Sequence, residues 1–268
     1  MMLDPQWLVC FLLLGAVVGF MAGLLGIGGG GIMVPALTSI FLLQGVPVEQ
    51  VVHLALGTSM ASIIATSFSS MRAHHRNGGV LWPVVRAVTP GIIVGTFLAT
   101  FVAKNISSVH LALFFAVFMS VVAVQMFLDK KPKPSRELAG ATGLLAAGSG
   151  IGAISALVSI GGGSLTVPFL TWQNVDVRKA IGTSAAIGLP ISIAGTLGYV
   201  VNGWAHSSPE NYTFGFIYLP AVLSISVVSF FTAPLGARMA HRLPVPALKK
   251  IFAILLVALG LKMLLSVI

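Results

Sequence analysis

The sequence predicts an all-α membrane protein that crosses the bilayer many times and is built from two similar halves. Of its 268 residues, 57% are hydrophobic and only 8% are charged, a composition that suits a chain surrounded mostly by lipid. The apolar residues form long runs separated by short polar or basic segments. Two glycine-rich stretches, "GIGGGGIMVP" at 26–35 and "SIGGGSLTVP" at 159–168, nearly repeat one another.

Most of the apolar runs approach the roughly 20 residues that a helix needs to cross about 30 Å of hydrocarbon. The runs cover residues 6–27, 32–43, 51–71, 80–103, 109–128, 138–158, 164–173, 177–201, 215–240 and 247–267. The runs at 32–43 and 164–173 are too short to span, and each follows a glycine run. Short, glycine-interrupted segments at matching places in two halves predict broken helices or re-entrant hairpins.

The distribution of basic residues predicts the topology. Twelve of the fifteen Lys and Arg residues cluster in four short segments, which is typical of topology signals and not of a nucleic-acid surface. These segments are 72–76, 130–136, 178–179 and 238–250. If all four face the cytoplasm, each half contains one glycine-tipped hairpin and three spans, and the second half is inverted. Both termini are then expected outside the cell membrane.

Further landmarks recur in the same order in both halves. "LGTS" at 56–59 matches "IGTS" at 181–184, and Pro35 matches Pro168. These prolines are expected to stabilise the helix breaks. The charged segment "DKKPKPSRE" separates the halves, because its prolines interrupt helix. We expect a first repeat at 1–128, a cytoplasmic linker at 129–137 and a second repeat at 138–268.

The glycine runs predict a binding site for an anion near the bilayer midplane. Non-helical backbone within a membrane must be buried in protein or line a wet cavity, and glycine permits unusual dihedral angles and close approach of a ligand. A helix that begins after each run directs its unpaired N–H groups and positive dipole end inward. The candidate residues are Gly28, Gly29, Gly30, Gly31, Gly161, Gly162, Gly163 and Ser164.

Hydroxyl groups on two longer runs are candidates to complete this site. Thr58, Ser59, Thr183 and Ser184 lie about 10–13 Å into their spans by helix rise, where a hydroxyl donates to an oxyanion without bringing a charge. The competing explanation is packing, since small residues are enriched wherever membrane helices meet. Arg86 is a candidate gate, although its side chain is also able to snorkel to the interface.

Acidic residues and histidines limit the alternatives. All six carboxylates fall at or near the ends of apolar runs, so a buried proton relay of Asp or Glu is not expected. No cofactor, metal or catalytic residue is expected. No histidine falls at mid-depth in the spans of Ser59 or Ser184, which disfavours a Ser/His intramembrane enzyme. His53 is expected near the interface.

The duplicated Gly-rich-then-Pro motif, the Gly-Thr-Ser motif after it, the size and the charge pattern resemble the TauE/SafE family of sulfite exporters, also called the 4-toluenesulfonate uptake permease family. The resemblance covers nearly the whole chain. It implies transport of sulfite, a sulfonate or a related organic anion. The expected function is a secondary transporter with alternating access, and a passive channel or facilitator is the alternative. The expected partners are the small anion and the bilayer, with a homo-oligomer left open and no nucleic acid.

Overall fold

The computed structural model of the chain describes residues 4–25, 29–128, 138–239 and 245–268. Nearly all of these residues are α-helical. The helices are α1 (Pro5–Leu25), α2 (Gly30–Leu43), α3 (Val48–Arg76), α4 (Trp82–Lys104), α5 (Ser108–Leu128), α6 (Ala141–Val158), α7 (Gly163–Trp172), α8 (Val177–Gly203), α9 (Leu219–Met239) and α10 (Val245–Val267). Two short 3-10 turns (Trp204–His206 and Pro209–Asn211) and a hairpin of β1 (Thr213–Phe214) and β2 (Ile217–Tyr218) lie between α8 and α9.

The helix lengths confirm the predicted fold class. Among the described residues, eight helices are long and apolar enough to cross a membrane. The other two, α2 and α7, have 14 and 10 residues and are too short to span. Both short helices follow the glycine runs, as predicted, and each begins at a glycine. The protein is therefore an all-α, multi-pass membrane protein.

Helices α3 and α8 form the centre of the molecule. In α3, 83% of the most apolar window is buried inside the protein, and in the span that contains α8 the share is 61%. The other six candidate spans of the described chain bury between 33% and 44%, which leaves much of their surface for lipid. The helices that carry the two Gly-Thr-Ser motifs are thus the two most enclosed.

The outer helices exchange partners between the two halves. Helix α1 packs along α9, and its counterpart α6 packs along α4. A β-carbon on Gly19 of α1 would lie 2.7 Å from the carbonyl oxygen of Ser229, and one on Gly152 of α6 would lie 2.6 Å from that of Ile92. Gly19 and Gly152 are separated by the same interval as the two glycine runs. Equivalent glycines therefore permit equivalent close helix contacts, which supports the predicted duplication.

The hairpin before α9 differs from the sequence prediction, which placed one apolar run at 215–240. Thr213 pairs with Tyr218 and Phe214 with Ile217 in antiparallel register. Gly215, with φ of 57°, makes the turn between the strands. The N–H of Phe216 donates to the carbonyl of Tyr199 at 3.2 Å, which ties the hairpin to α8. Phe216, Ile217 and Tyr218 of this segment are buried, whereas Phe214 is exposed. In the sequence the buried apolar residues resemble the start of a span.

Helix ends extend beyond several predicted boundaries. The run predicted at 51–71 is the helix Val48–Arg76, so the basic residues Arg72 and Arg76 lie in its last turns and not in a loop. Basic side chains are favourable at this end of a helix because of the helix dipole. The linker predicted at 129–137 lies outside the described residues, and the two-repeat division at 1–128 and 138–268 stays a prediction.

Candidate functional site

Each short helix begins at a glycine in the left-handed region. Gly29 precedes α2 with φ 79° and ψ −9°, and Gly162 precedes α7 with φ 79° and ψ −13°. A residue with a side chain pays about 1–2 kcal/mol in this region because its β-carbon approaches the carbonyl oxygen. The two glycine runs therefore supply the same backbone turn at equivalent positions.

The turn leaves amide groups available at the start of each helix. The N–H groups of residues 32 and 33 donate to the carbonyl of Gly29, and those of residues 165 and 166 donate to the carbonyl of Gly162. The first two N–H groups of each helix have no acceptor within the helix, as α-helical geometry requires. The positive end of each helix dipole lies at the same place. Both short helices thus present donors that suit an anion.

The tip of the second hairpin contacts the start of α2. Gly30, the first residue of α2, lies so close to the carbonyl of Ser159 that a β-carbon at this position would overlap the oxygen. Ser159 ends α6 in the left-handed region, with φ of 50°. Its hydroxyl donates to the carbonyl of Leu56 on α3 at 3.1 Å. The second hairpin, the start of α2 and the central helix α3 therefore meet at Ser159.

Five hydroxyl groups on the second hairpin and α3 are buried without a hydrogen-bond partner in the described part of the chain: those of Ser59, Ser70, Ser155, Ser164 and Thr166. All but Ser70 lie within about one turn of Leu56, Ser159 or Gly162 in sequence. Ser155 lies one turn before Ser159 on α6, and Ser59 lies one turn after Leu56 on α3. An unpaired buried polar group costs about 1–3 kcal/mol. These hydroxyls are therefore donors and acceptors that a bound ligand would satisfy.

All unpartnered hydroxyls on the described parts of the two hairpins belong to the second hairpin, and Ser59 lies on α3. At the repeat interval of the glycine runs, Ser155, Ser164 and Thr166 correspond to the apolar residues or glycine at 22, 31 and 33. A β-carbon on Gly31 would lie 2.7 Å from Leu256 Cδ2 and 3.4 Å from Met119 Sδ, so this side of Gly31 faces apolar side chains. The polar part of the candidate site lies around α7.

Sequence reasoning did not single out Ser155 or Thr166. Ser155 is four residues before Ser159, so the two share one face of the helix that ends at the glycine run. Thr166 lies in the first turn of α7, four residues after Gly162. Both residues become candidates for the site only when the structure shows that α6 ends before the glycine run and α7 begins within it.

The predicted threonines have partners within the fold. Thr58 Oγ1 accepts a hydrogen bond from the N–H of Tyr218 at 3.0 Å. Thr183 Oγ1 accepts one from the N–H of Leu81, also at 3.0 Å. Thr58 on α3 thereby binds the segment before α9, and Thr183 on α8 binds the segment before α4. Each threonine contacts the other half of the chain.

The other members of the Gly-Thr-Ser motifs divide between packing and the candidate site. Gly57 packs against the carbonyl of Phe216, and Gly182 packs against the carbonyl of Gly79. The Ser184 hydroxyl donates to the carbonyl of Ile181 in its own helix at 2.9 Å. Ser59, by contrast, is fully buried and its hydroxyl is unpartnered among the described residues.

The remaining candidate residues from the sequence are two prolines, one arginine and one glycine. Pro35 and Pro168 are inside α2 and α7, each five residues after the first residue, so the helix breaks lie at the glycines and not at the prolines. The missing N–H of a proline removes one helical hydrogen bond from each short helix. Arg86 is exposed near the start of α4. Gly28 lies outside the described residues.

The candidate site is free of nearby carboxylates in the described chain. The four described acidic residues are all exposed and lie at helix ends or in connections: Asp4, Glu49, Asp176 and Glu210. Asp176 accepts from the N–H groups of Arg178 and Lys179 and so caps α8.

His53, expected near the interface, is buried with 4% exposure, and its Nε2 lies 3.0 Å from the Ala103 carbonyl.

Comparison with known proteins identifies the family. Residues 11–263 match the family described as Sulfite exporter TauE/SafE. A probable membrane transporter protein of Haemophilus influenzae is 38% identical over 260 residues, which cover 97% of this chain and 98% of the relative. A probable membrane transporter protein of Methanocaldococcus jannaschii is 28% identical over 261 residues, which cover 95% and 94%. No solved structure matches the chain. The resemblance is confirmed, and the chain belongs to the sulfite exporter TauE/SafE family of membrane transporters.

Proposed function

We propose that this transporter moves a small anion, sulfite or an organosulfonate, which binds where the second hairpin meets α2 and α3. The observation that carries the proposal is the pair of left-handed glycines, Gly29 and Gly162, each of which begins a short helix inside a membrane protein. A helix start of this kind combines unpaired N–H donors with a positive dipole end. Glycines 28–31 and 161–163 and Ser164 are the proposed cradle.

The electrostatic character of the region supports an anion over a cation. The buried hydroxyls of Ser59 and Ser164 are able to donate hydrogen bonds to an oxyanion. No described carboxylate is buried there to attract a cation or to repel an anion. The choice of sulfite or a sulfonate rests on the family, whose description names a sulfite exporter.

The proposed mechanism is alternating access by movement of one half against the other. The exchange of helices α1 and α6 between the halves supports a pseudo-twofold relationship. The reciprocal bonds of Thr58 to Tyr218 and of Thr183 to Leu81 follow the same relationship. In this mechanism the two halves have opposite topology in the cell membrane, both termini face outside, and the site is exposed to each side in turn.

Uptake of radiolabelled sulfite into proteoliposomes tests the function. Purified protein should give saturable uptake that exceeds uptake into empty liposomes, and an unlabelled organosulfonate should compete. Accumulation above equilibrium in an imposed ion gradient would support coupled transport, whereas non-saturable flux that follows only the sulfite gradient would support a channel. Absence of protein-dependent uptake of both sulfite and a sulfonate would refute the proposed substrate class.

A further inference from the structure

A second polar cavity lies away from the glycine runs. It has a volume of about 240 Å³ and lies between the end of α2, the start of α3 and the segment 206–216. Gln44, Gln50, His206, Asn211 and Phe216 are among the residues that line it, and we call it the hairpin cavity. Its volume is large enough for several water molecules or a small oxyanion.

Gln44 lines the hairpin cavity, and its side-chain amide makes no hydrogen bond in the described chain. Both Oε1 and Nε2 of its side chain are buried and have no hydrogen-bond partner in the described chain. A buried amide in this state costs about 1–3 kcal/mol unless a ligand or water completes its hydrogen bonds. Gln44 also follows the C-terminal end of α2, so its position is fixed by the fold.

Gln173, the equivalent glutamine in the second half, has a structural role because its side chain is hydrogen-bonded within the fold. Gln173 follows α7 as Gln44 follows α2, and Oε1 of Gln173 accepts from the N–H of Ala139 at 3.0 Å. The two helix ends are built alike, since the next residues, Gly45 and Asn174, have φ of 80° and 61°. The side chain of Gln173 is bonded within the fold, whereas Gln44 lines the hairpin cavity and its buried amide has no partner among the described residues.

Phe216 lies between the hairpin cavity and the first Gly-Thr-Ser motif of α3. Its side chain lines the cavity, and its carbonyl packs against Gly57 in the first Gly-Thr-Ser motif. Its ring also lies between the imidazoles of His53 and His206, with centroid distances of 5.1 Å to each. A ligand in the cavity would therefore be separated from the first Gly-Thr-Ser motif by Phe216.

We propose that the hairpin cavity is a second, peripheral binding site for the transported anion, with Gln44 Nε2 as its main donor and His206 as a second one. This inference rests on the proposed anion transport. Glu49 and Glu210 neighbour the lining segments in sequence, but both are exposed and neither lines the cavity.

Equilibrium binding of radiolabelled sulfite to the purified full chain tests this site. The wild type should bind two sulfite ions per chain. Gln44→Glu puts a carboxylate in the cavity at almost unchanged volume, so it should weaken one of the two sites about tenfold or more through charge repulsion. Gln6→Glu is the matched control, since Gln6 is exposed near the N-terminus, and it should leave both sites unchanged.

The outcomes separate this inference from the proposed function. If Gln44→Glu retains wild-type sulfite stoichiometry and affinity, the hairpin cavity is not an anion site, although the transporter proposal stands. If sulfite and a competing sulfonate do not bind the wild type at all, the proposed function fails. Should Gln44→Glu not fold, Gln50→Glu places the same charge in the same cavity and is judged by the same criteria.

Discussion

Thr58 on the first central helix accepts a hydrogen bond from the N–H of Tyr218, 160 residues later in the chain, at 3.0 Å. Tyr218 ends the hairpin that precedes α9, and its ring packs edge-on against Phe11 of α1 and Phe41 of α2. The bond therefore anchors the hairpin to the first half. Thr183 and Leu81 make the same bond with the roles of the halves exchanged.

Replacement of Thr58 by valine tests the structural role of this bond. Valine keeps the shape of threonine but leaves the buried N–H of Tyr218 unpaired, so the loss should be about 1–3 kcal/mol of stability. Thermal unfolding of the purified protein measures it. Thr58→Ser retains the hydroxyl and is the control. If Thr58→Val melts at the wild-type temperature, the hydroxyl does not hold the hairpin.

Removal of the unpartnered hydroxyls should affect ligand binding more than folding. We expect Ser59→Ala and Ser164→Ala each to weaken sulfite binding by about fivefold to tenfold, the equivalent of one hydrogen bond. Without ligand, their melting temperatures should equal or exceed that of the wild type, because neither hydroxyl bonds within the described fold and its removal ends the cost of burying it unpaired. Isothermal titration with sulfite provides the affinities.

Ser224→Ala is the matched control for these hydroxyls. The Ser224 hydroxyl donates to the carbonyl of Pro220 within α9 at 2.7 Å, so its removal should leave sulfite affinity unchanged. Equal effects of Ser59→Ala, Ser164→Ala and Ser224→Ala on sulfite affinity would argue that the unpartnered hydroxyls do not contact the ligand.

The inverted arrangement predicts opposite accessibility for equivalent connections. Asn77 lies between α3 and α4, and Ala205 lies between α8 and α9; both are exposed. In a Cys10→Ser background, Asn77→Cys should react with an impermeant thiol reagent only from the cytoplasmic side, and Ala205→Cys only from the outside. Reaction of both cysteines from the same side would rule out inverted repeats.

The sequence was sufficient to predict the short helices and the glycine turns, because hydrophobic length and glycine runs are local signals. The runs at 32–43 and 164–173 are too short to cross the bilayer as helices. The hairpin was not predictable in this way, since Phe216, Ile217 and Tyr218 are apolar and buried, and so they resemble the continuation of a membrane-spanning run. Likewise, the role of Thr58 depends on a partner 160 residues away.

The backbone of the candidate site was predicted better than its asymmetry. Glycines 29 and 162 have the left-handed backbone that the glycine runs led us to expect. In the sequence only Ser164, which stands where the first hairpin has Gly31, indicated a difference between the hairpins, whereas the unpartnered hydroxyls of Ser155, Ser164 and Thr166 all belong to the second. Which side chains lack a partner depends on tertiary packing, and no local pattern reports it.

The central claim is that the left-handed glycines form an anion site, and sulfite-induced thermal stabilisation tests it most directly. Gly162→Ala adds a β-carbon at φ 79°, 2.6 Å from Ile191 Cδ1. Gly78→Ala is the matched control, because Gly78 has φ 66° and open space around it, far from the glycine runs in sequence. Both variants carry similar backbone strain, so both should melt below the wild type.

Sulfite at a concentration well above its dissociation constant should raise the melting temperature of the wild type and of Gly78→Ala by mass action. The account predicts that folded Gly162→Ala shows little or no such rise. If Gly162→Ala melts lower but keeps the full sulfite-dependent rise, the glycine serves packing alone and the proposed anion site is contradicted.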